Sequence, residues 1–202
     1  IAIAIKTEIL FFNVESVPEL EEINRIAKKM GKVAPVALRI NPDVAAATHN
    51  HITTGTLKNK FGIDLTSTRK LLKEQRKYKN IKINGLHIHI GSQIVTASPF
   101  INAIKKVIEF LESLRAEGID IEYLDIGGGM GIIYKDENPQ TAQHYADAIL
   151  PYLLKTGLKI VMEPGRMIVG NAGVLVTRVT FVKEGADKTF TIVDAAMNDL
   201  IR

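Results

Sequence analysis

Asp125-Ile126-Gly127-Gly128-Gly129-Met130-Gly131 is the stretch from which the fold of this chain can be read. Strand-compatible residues, Ile121, Tyr123, Leu124 and Ile126, lead into it, and three consecutive glycines then remove every Cβ where a strand should turn into a loop. Such a run permits φ > 0 and lets backbone N–H groups come close to a ligand. Converging amides form an anion cradle, most often for phosphate. On this stretch alone, a tight turn without a ligand is the competing reading. Three other strand-like runs also end in polar or charged residues: Asn13-Val14-Glu15-Ser16, His87-Ile88-His89-Ile90-Gly91-Ser92-Gln93 and Glu163-Pro164-Gly165-Arg166.

Working outward, the chain alternates strand and helix. Phe11 to Val14 is β-prone, and Ser16-Val17-Pro18-Glu19 reads as a capping box opening a helix with Leu20, Ile23, Ala27 and Met30 at helical spacing. Further strands are expected at Val33 to Ile40, Ile81 to Ile90, before the glycine run, and at Leu158 to Met162. Helices are expected at Thr66 to Lys77, from the Ser98-Pro99 cap to Gly118, and at Thr141 to Leu154. The 43–62 stretch, with His49, His51 and Gly55, has no periodicity and reads as a functional loop at the active site or a dimer contact. After Asn171 two β-rich runs flank Lys183 to Asp187 without a helix between them, which predicts an antiparallel hairpin and a domain boundary near Gly170.

Strands alternating with helices make a parallel α/β sheet, and both a doubly wound sheet and a (β/α)8 barrel fit the pattern. The glycine run comes fourth of five strands and lacks G-x-G-x-x-G spacing, which favours the barrel.

Composition removes several function classes. With no cysteine, disulfides and thiolate metal sites are excluded. The net charge of +4 is scattered in short basic pairs without interleaved aromatics, so nucleic acid is not an expected partner. No apolar run reaches the ~18 residues of a membrane span. The chain opens on Ile1 without an initiator Met or a basic leader and stops at Leu200-Ile201-Arg202, so a piece of a longer cytoplasmic protein is expected.

His87 and His89 share a strand face. They could bind a metal, but no carboxylate pair stands at matching spacing, and no metal is expected. One is read as a core histidine and the other as a flat surface for an aromatic ligand. Glu163, fixed by Pro164, can pair with a ring N–H, and Arg166 can fork onto a carboxylate or phosphate, or simply pair with Glu163. Arg39 at its strand end is either an anion ligand or a structural partner, and Ser92 and Gln93 add a hydroxyl and an amide. An anion cradle, a planar histidine, a carboxylate and arginines together match pyridoxal 5'-phosphate.

These motifs, with Arg39-Ile40-Asn41-Pro42, Lys60-Phe61-Gly62-Ile63 and Met197-Asn198-Asp199-Leu200-Ile201-Arg202, resemble the diaminopimelate decarboxylases, within the alanine-racemase-like (fold type III) pyridoxal-phosphate decarboxylase family. The resemblance spans essentially the whole chain. It implies about strands 4–8 of a (β/α)8 TIM barrel over residues 1–170, then the start of a C-terminal β domain over 171–202, in a homodimer. By this likeness His89 stacks on the pyridine ring and Glu163 bonds its nitrogen, the two being the catalytic pair. Gly127, Gly128, Gly129, Ser92 and the Pro164-Gly165-Arg166 loop hold the phosphate, and Arg166 and Arg202 bind substrate carboxylate. The implied reaction is decarboxylation of meso-2,6-diaminopimelate to L-lysine. Ornithine, arginine or carboxynorspermidine decarboxylation, and a non-catalytic homologue that binds the cofactor, are the alternatives. The family's Tyr-Ala-x-Lys-Ala-Asn motif with the cofactor lysine, and its Cys-Glu acid pair, have no match here. The resemblance therefore implies that these residues alone are inactive.

Overall fold

The computed structural model describes residues 1–42 and 61–201. The chain divides into two compact units, Ile1–Met167 and Ile168–Arg202. Most of the 43–62 loop, with His49 and His51, lies outside the described residues, as does Arg202.

In the first unit, β1 (Phe12–Val14), β2 (Ala34–Arg39), β3 (Ile81–His87), β4 (Tyr123–Asp125) and β5 (Lys159–Val161) form one sheet in the order β1-β2-β3-β4-β5. Every neighbouring pair is parallel. Consecutive order without reversal lacks the switch point of a doubly wound sheet and is the order of a barrel wall. Right-handed crossovers then put the connecting helices on one face of the sheet.

The helices α2 (Val17–Lys29), α3 (Leu65–Lys73), α4 (Ser98–Ala116) and α5 (Ala142–Leu153) supply that layer. Local chemistry sets where they start. Ser16 accepts from the Glu19 N–H at 3.3 Å, while the Glu19 carboxylate reaches back to the N–H of Glu15 at 2.7 Å. The predicted capping box thus closes one residue earlier than the motif implies. Asp64 caps α3 and Thr141 caps α5. Ser98 does not cap α4: Ala97 is the N-cap, its N–H donates to Gln140 Oε1, and Ser98 and Pro99 lie inside the first turn. A five-residue helix α1 (Ala2–Lys6) and a short α6 (Gly165–Val169) carry no periodic signal and were not expected. Leu20, Ile23, Leu72, Leu86, Ile104, Leu111, Leu114 and Leu124, all fully buried, form the core between sheet and helices.

Strand register positions the polar face. Arg39 pairs with His87, His87 with Asp125, and Asp125 with Val161. Paired residues of adjacent strands point to one face, so the C-terminal ends of β2, β3 and β4 present Arg39, His87 and Asp125 in a row.

In the second unit, β6 (Val179–Glu184) and β7 (Thr189–Val193) form the antiparallel hairpin expected from the sequence. No helix of the described residues is long and apolar enough to cross a membrane.

Leu86 lies in the central strand with no exposure. Leu86→Ala is expected to lower unfolding free energy by about 2–5 kcal/mol, read as a lower urea midpoint at unchanged m-value.

Candidate active site

The glycine turn is built by close backbone approach. A Cβ on Gly127 would stand 2.4 Å from the Ile88 carbonyl oxygen, one on Gly128 2.0 Å from that of Glu163, and one on Gly129 2.2 Å from that of Gly91. Gly127 and Gly129 also hold φ of 68° and 109°. Side chains are therefore excluded at all three positions by neighbouring backbone, and at Gly127 and Gly129 by conformation as well. The ends of β3, β4 and β5 are drawn together here: Glu163 N donates to Gly127 O at 2.9 Å, and Ile94 N to Gly129 O at 2.9 Å.

The donors of this turn are unevenly committed. The Gly127 N–H donates to Asp125 Oδ1 at 2.9 Å, and the Gly128 N–H to His89 Nδ1 at 3.3 Å. No hydrogen bond within the described residues uses the Gly129 N–H. The sequence reading gave all three amides to an anion; two of them are engaged inside the protein. Gln93, read as a rim amide, instead clamps the loop after the glycines: it donates to Ile132 O at 2.6 Å and accepts from Ile132 N at 3.1 Å. Gln93 holds φ of 60° to do so.

His89 is fixed by the Gly128 bond, which makes Nδ1 the acceptor and places the ring proton on Nε2. Burial, then the nearby Arg39 charge, pushes its pKa down. Ser92 is half-buried two residues past Ile90. Arg39 is buried and is the structural partner rather than a free anion ligand. Its guanidinium pairs with Glu15 Oε1 at 2.5 Å, donates to His89 O at 3.4 Å, and covers the Phe61 ring.

Below His89 lies a polar cluster that sequence reasoning missed. Asn13 Nδ2 donates to Asp125 Oδ2 at 3.0 Å and to Glu163 Oε1 at 3.1 Å. His87 Nε2 stands 3.6 Å from Glu163 Oε2, and among the described residues neither ring nitrogen of His87 has a hydrogen-bond partner. Asp125 is 1% exposed and His87 4% exposed. Burial carries the His87 pKa down to about 4, so it is neutral near pH 7. Burial and the Asp125 carboxylate push the Glu163 pKa up. The strand-end position of Asp125, in register with His87, was the available signal; without knowledge of strand order it could not be used.

The side-chain ligand atoms of His87, Asp125 and Glu163 lie within 4.8 Å of one another, a spacing that a divalent cation could bridge. Asn13 already places its N–H groups between the two carboxylates, which opposes a cation there. Glu163 begins a tight turn, with Gly165 N donating to Glu163 O at 2.8 Å. Arg166 does not pair with Glu163: its Nη1 donates to the Tyr134 hydroxyl at 2.5 Å.

Residues 1–170 match the family model described as pyridoxal-dependent decarboxylase, pyridoxal binding domain. Diaminopimelate decarboxylase of Aquifex aeolicus is 51% identical over 200 residues, covering 98% of this chain and 48% of that protein. The enzyme of Neisseria meningitidis serogroup B is 47% identical over 202 residues, covering all of this chain and 49% of that protein. The solved structure of Helicobacter pylori diaminopimelate decarboxylase complexed with L-lysine superposes with a TM-score of 0.89 at 41% identity, over all of this chain and 50% of that one. The solved structure of diaminopimelate decarboxylase from M. jannaschii in co-complex with L-lysine gives a TM-score of 0.86 at 42% identity, over all of this chain and 48% of that one. The chain thus spans about half the length of the curated relatives it matches.

His87 gives a pH signature. Its folded pKa of about 4 lies below the usual 6.5, so the unfolded chain takes up the proton first. Its contribution is complete above pH 6.5 and is lost as pH falls towards 4. Urea unfolding of His87→Gln should show a flatter loss of stability over that window, by roughly 3 kcal/mol in total.

Proposed function

The chain belongs to the pyridoxal-dependent decarboxylases, and on that premise we propose that it is the cofactor-binding core of a diaminopimelate decarboxylase, acting on meso-2,6-diaminopimelate to give L-lysine and CO2. The carrying observation is the convergence of Glu163, His89 and the glycine turn at the strand ends of one parallel sheet. The barrel reading makes β1 to β5 strands 4–8, residues 1–170 the barrel portion and 171–202 the start of a β domain. A homodimer in the cytoplasm is part of the same proposal.

The residues present fit pyridoxal 5'-phosphate on structural grounds. Among the described residues, the buried nitrogens of His87 lack hydrogen-bond partners, no hydrogen bond uses the Gly129 N–H, and two carboxylates sit together without a paired cation. The cofactor, when bound, supplies an aldehyde carbon for the substrate amine and a ring that accepts the electrons released with CO2. Glu163 accepts from the protonated ring nitrogen and keeps that proton in place. His89, its rotation fixed by the Gly128 N–H, offers its face to the ring. Gly129, Ser92 and the Pro164-Gly165-Arg166 loop hold the phosphate, with Gly127 and Gly128 shaping the turn. Arg166, and Arg202 beyond the described residues, bind substrate carboxylate. The lysine that joins the cofactor is supplied by the other half of the protein.

The test uses the full-length protein with pyridoxal 5'-phosphate. Lysine and CO2 are expected from meso-diaminopimelate and not from ornithine or arginine. Glu163→Gln should bind the cofactor yet lose roughly 100-fold or more in kcat. Turnover of ornithine or arginine instead would move the substrate, and cofactor binding without any turnover would leave a non-catalytic homologue.

A further inference from the structure

Glu163 is accompanied by a second carboxylate that the proposed chemistry leaves without a role. Asp125 is more deeply buried than Glu163, whose side chain is 44% exposed. Its two oxygens are both occupied, Oδ1 by the Gly127 N–H and Oδ2 by Asn13 Nδ2. The same Asn13 nitrogen reaches Glu163 Oε1, so one amide group cross-links the two carboxylates.

The charges around this pair do not balance. Arg39, the cation nearest in the strand-end row, is paired with Glu15. His87 and His89 are both desolvated, and His87 is neutral near pH 7. Asn13 contributes dipoles and no charge. A buried carboxylate held beside a part-exposed one, with the nearest cation already paired, is costly, and a cation brought by a ligand relieves that cost.

We propose that Asp125 is a positioning residue for the cofactor's ring nitrogen: held by Gly127 and coupled to Glu163 through Asn13, it supplies the second negative charge that makes the pocket select a ring carrying N–H⁺. This rests on the reading of the site as a pyridoxal 5'-phosphate site. Glu163 makes the direct contact. Asp125 acts through it, by raising the free-energy gain of placing a proton on the nitrogen. Asn13 keeps the two carboxylates at fixed separation and prevents Glu163 from turning away into solvent. Burial first, and the Asp125 charge second, raise the proton affinity of Glu163.

The experiment measures equilibrium binding to full-length apoprotein, by quenching of protein fluorescence, of two probes. One is pyridoxal 5'-phosphate. The other is its analogue with the ring nitrogen replaced by C–H, which keeps the phosphate, aldehyde and ring shape. The wild type should prefer the natural cofactor, and Asp125→Asn, which keeps the oxygen that accepts from Gly127, should reduce that preference by about tenfold. Affinity for the carbocyclic analogue should change little. Glu163→Gln is the positive control and should lose the preference more completely. If Asp125→Asn does not fold, as judged by circular dichroism, Asn13→Ala removes the cross-link alone and should also reduce the preference. An unchanged ratio in the folded variant would show that Asp125 only supports the glycine turn. Failure of the wild type to bind the natural cofactor would overturn the site reading itself, a separate outcome.

Discussion

Close approach of backbone to backbone at Gly127, Gly128 and Gly129 is the constraint on which the rest of the site depends. Three carbonyl oxygens, from Ile88, Glu163 and Gly91, stand where side chains would begin. Because of this the ends of β3, β4 and β5 meet at van der Waals distance, and residues far apart in sequence share one small volume. His89 reaches Gly128, and Glu163 reaches Asn13 across 150 residues of chain. The glycines therefore serve two ends: they let the strands converge, and they leave one amide, that of Gly129, without a hydrogen bond among the described residues.

The polar face obeys a simple economy of charge. Cations and anions at the strand ends are matched wherever the protein can match them, as in Arg39 with Glu15. The exception is the Asp125–Glu163 pair, bridged by Asn13 and bordered by a neutral histidine. An unbalanced pair of this kind at the strand ends is a feature that candidate functional sites share.

Much of this was legible in the sequence, because parallel α/β order, helix positions and strand-end motifs are local signals. The strands at Ile81 and Ala34 and the hairpin after Asn171 follow from alternation and from turn residues. Strand order is not local, and it alone separates a barrel wall from a doubly wound sheet. Pairings across the sheet are equally non-local. Asp125 stood in the quoted glycine motif, but its partnership with Asn13 and His87 depends on β1, β3 and β4 lying at particular places in one sheet. Glycine was read as a source of free amides, whereas Asp125 and His89 occupy two of the three. Arg39 could not be assigned between anion ligand and ion-pair partner until Glu15 was placed beside it. The caps fared similarly: Ser16 accepts from the Glu19 N–H as its sequence suggests, whereas α4 starts at Ala97 without a side-chain cap, and the Ala97 N–H is taken by Gln140, a partner far away in sequence.

The double hydrogen bond of Gln93 to Ile132 has a thermodynamic consequence. A side-chain amide has the donor and acceptor of a peptide group, so Gln93 serves as a surrogate strand residue and carries the ladder sideways to the loop that follows the glycines. The segments flanking the rim are thereby tied to each other within the fold itself. The conformational entropy of that ordering belongs to folding rather than to association. Recognition at this rim should accordingly be close to rigid-body docking, with its heat-capacity change set by desolvation and little contribution from coupled folding.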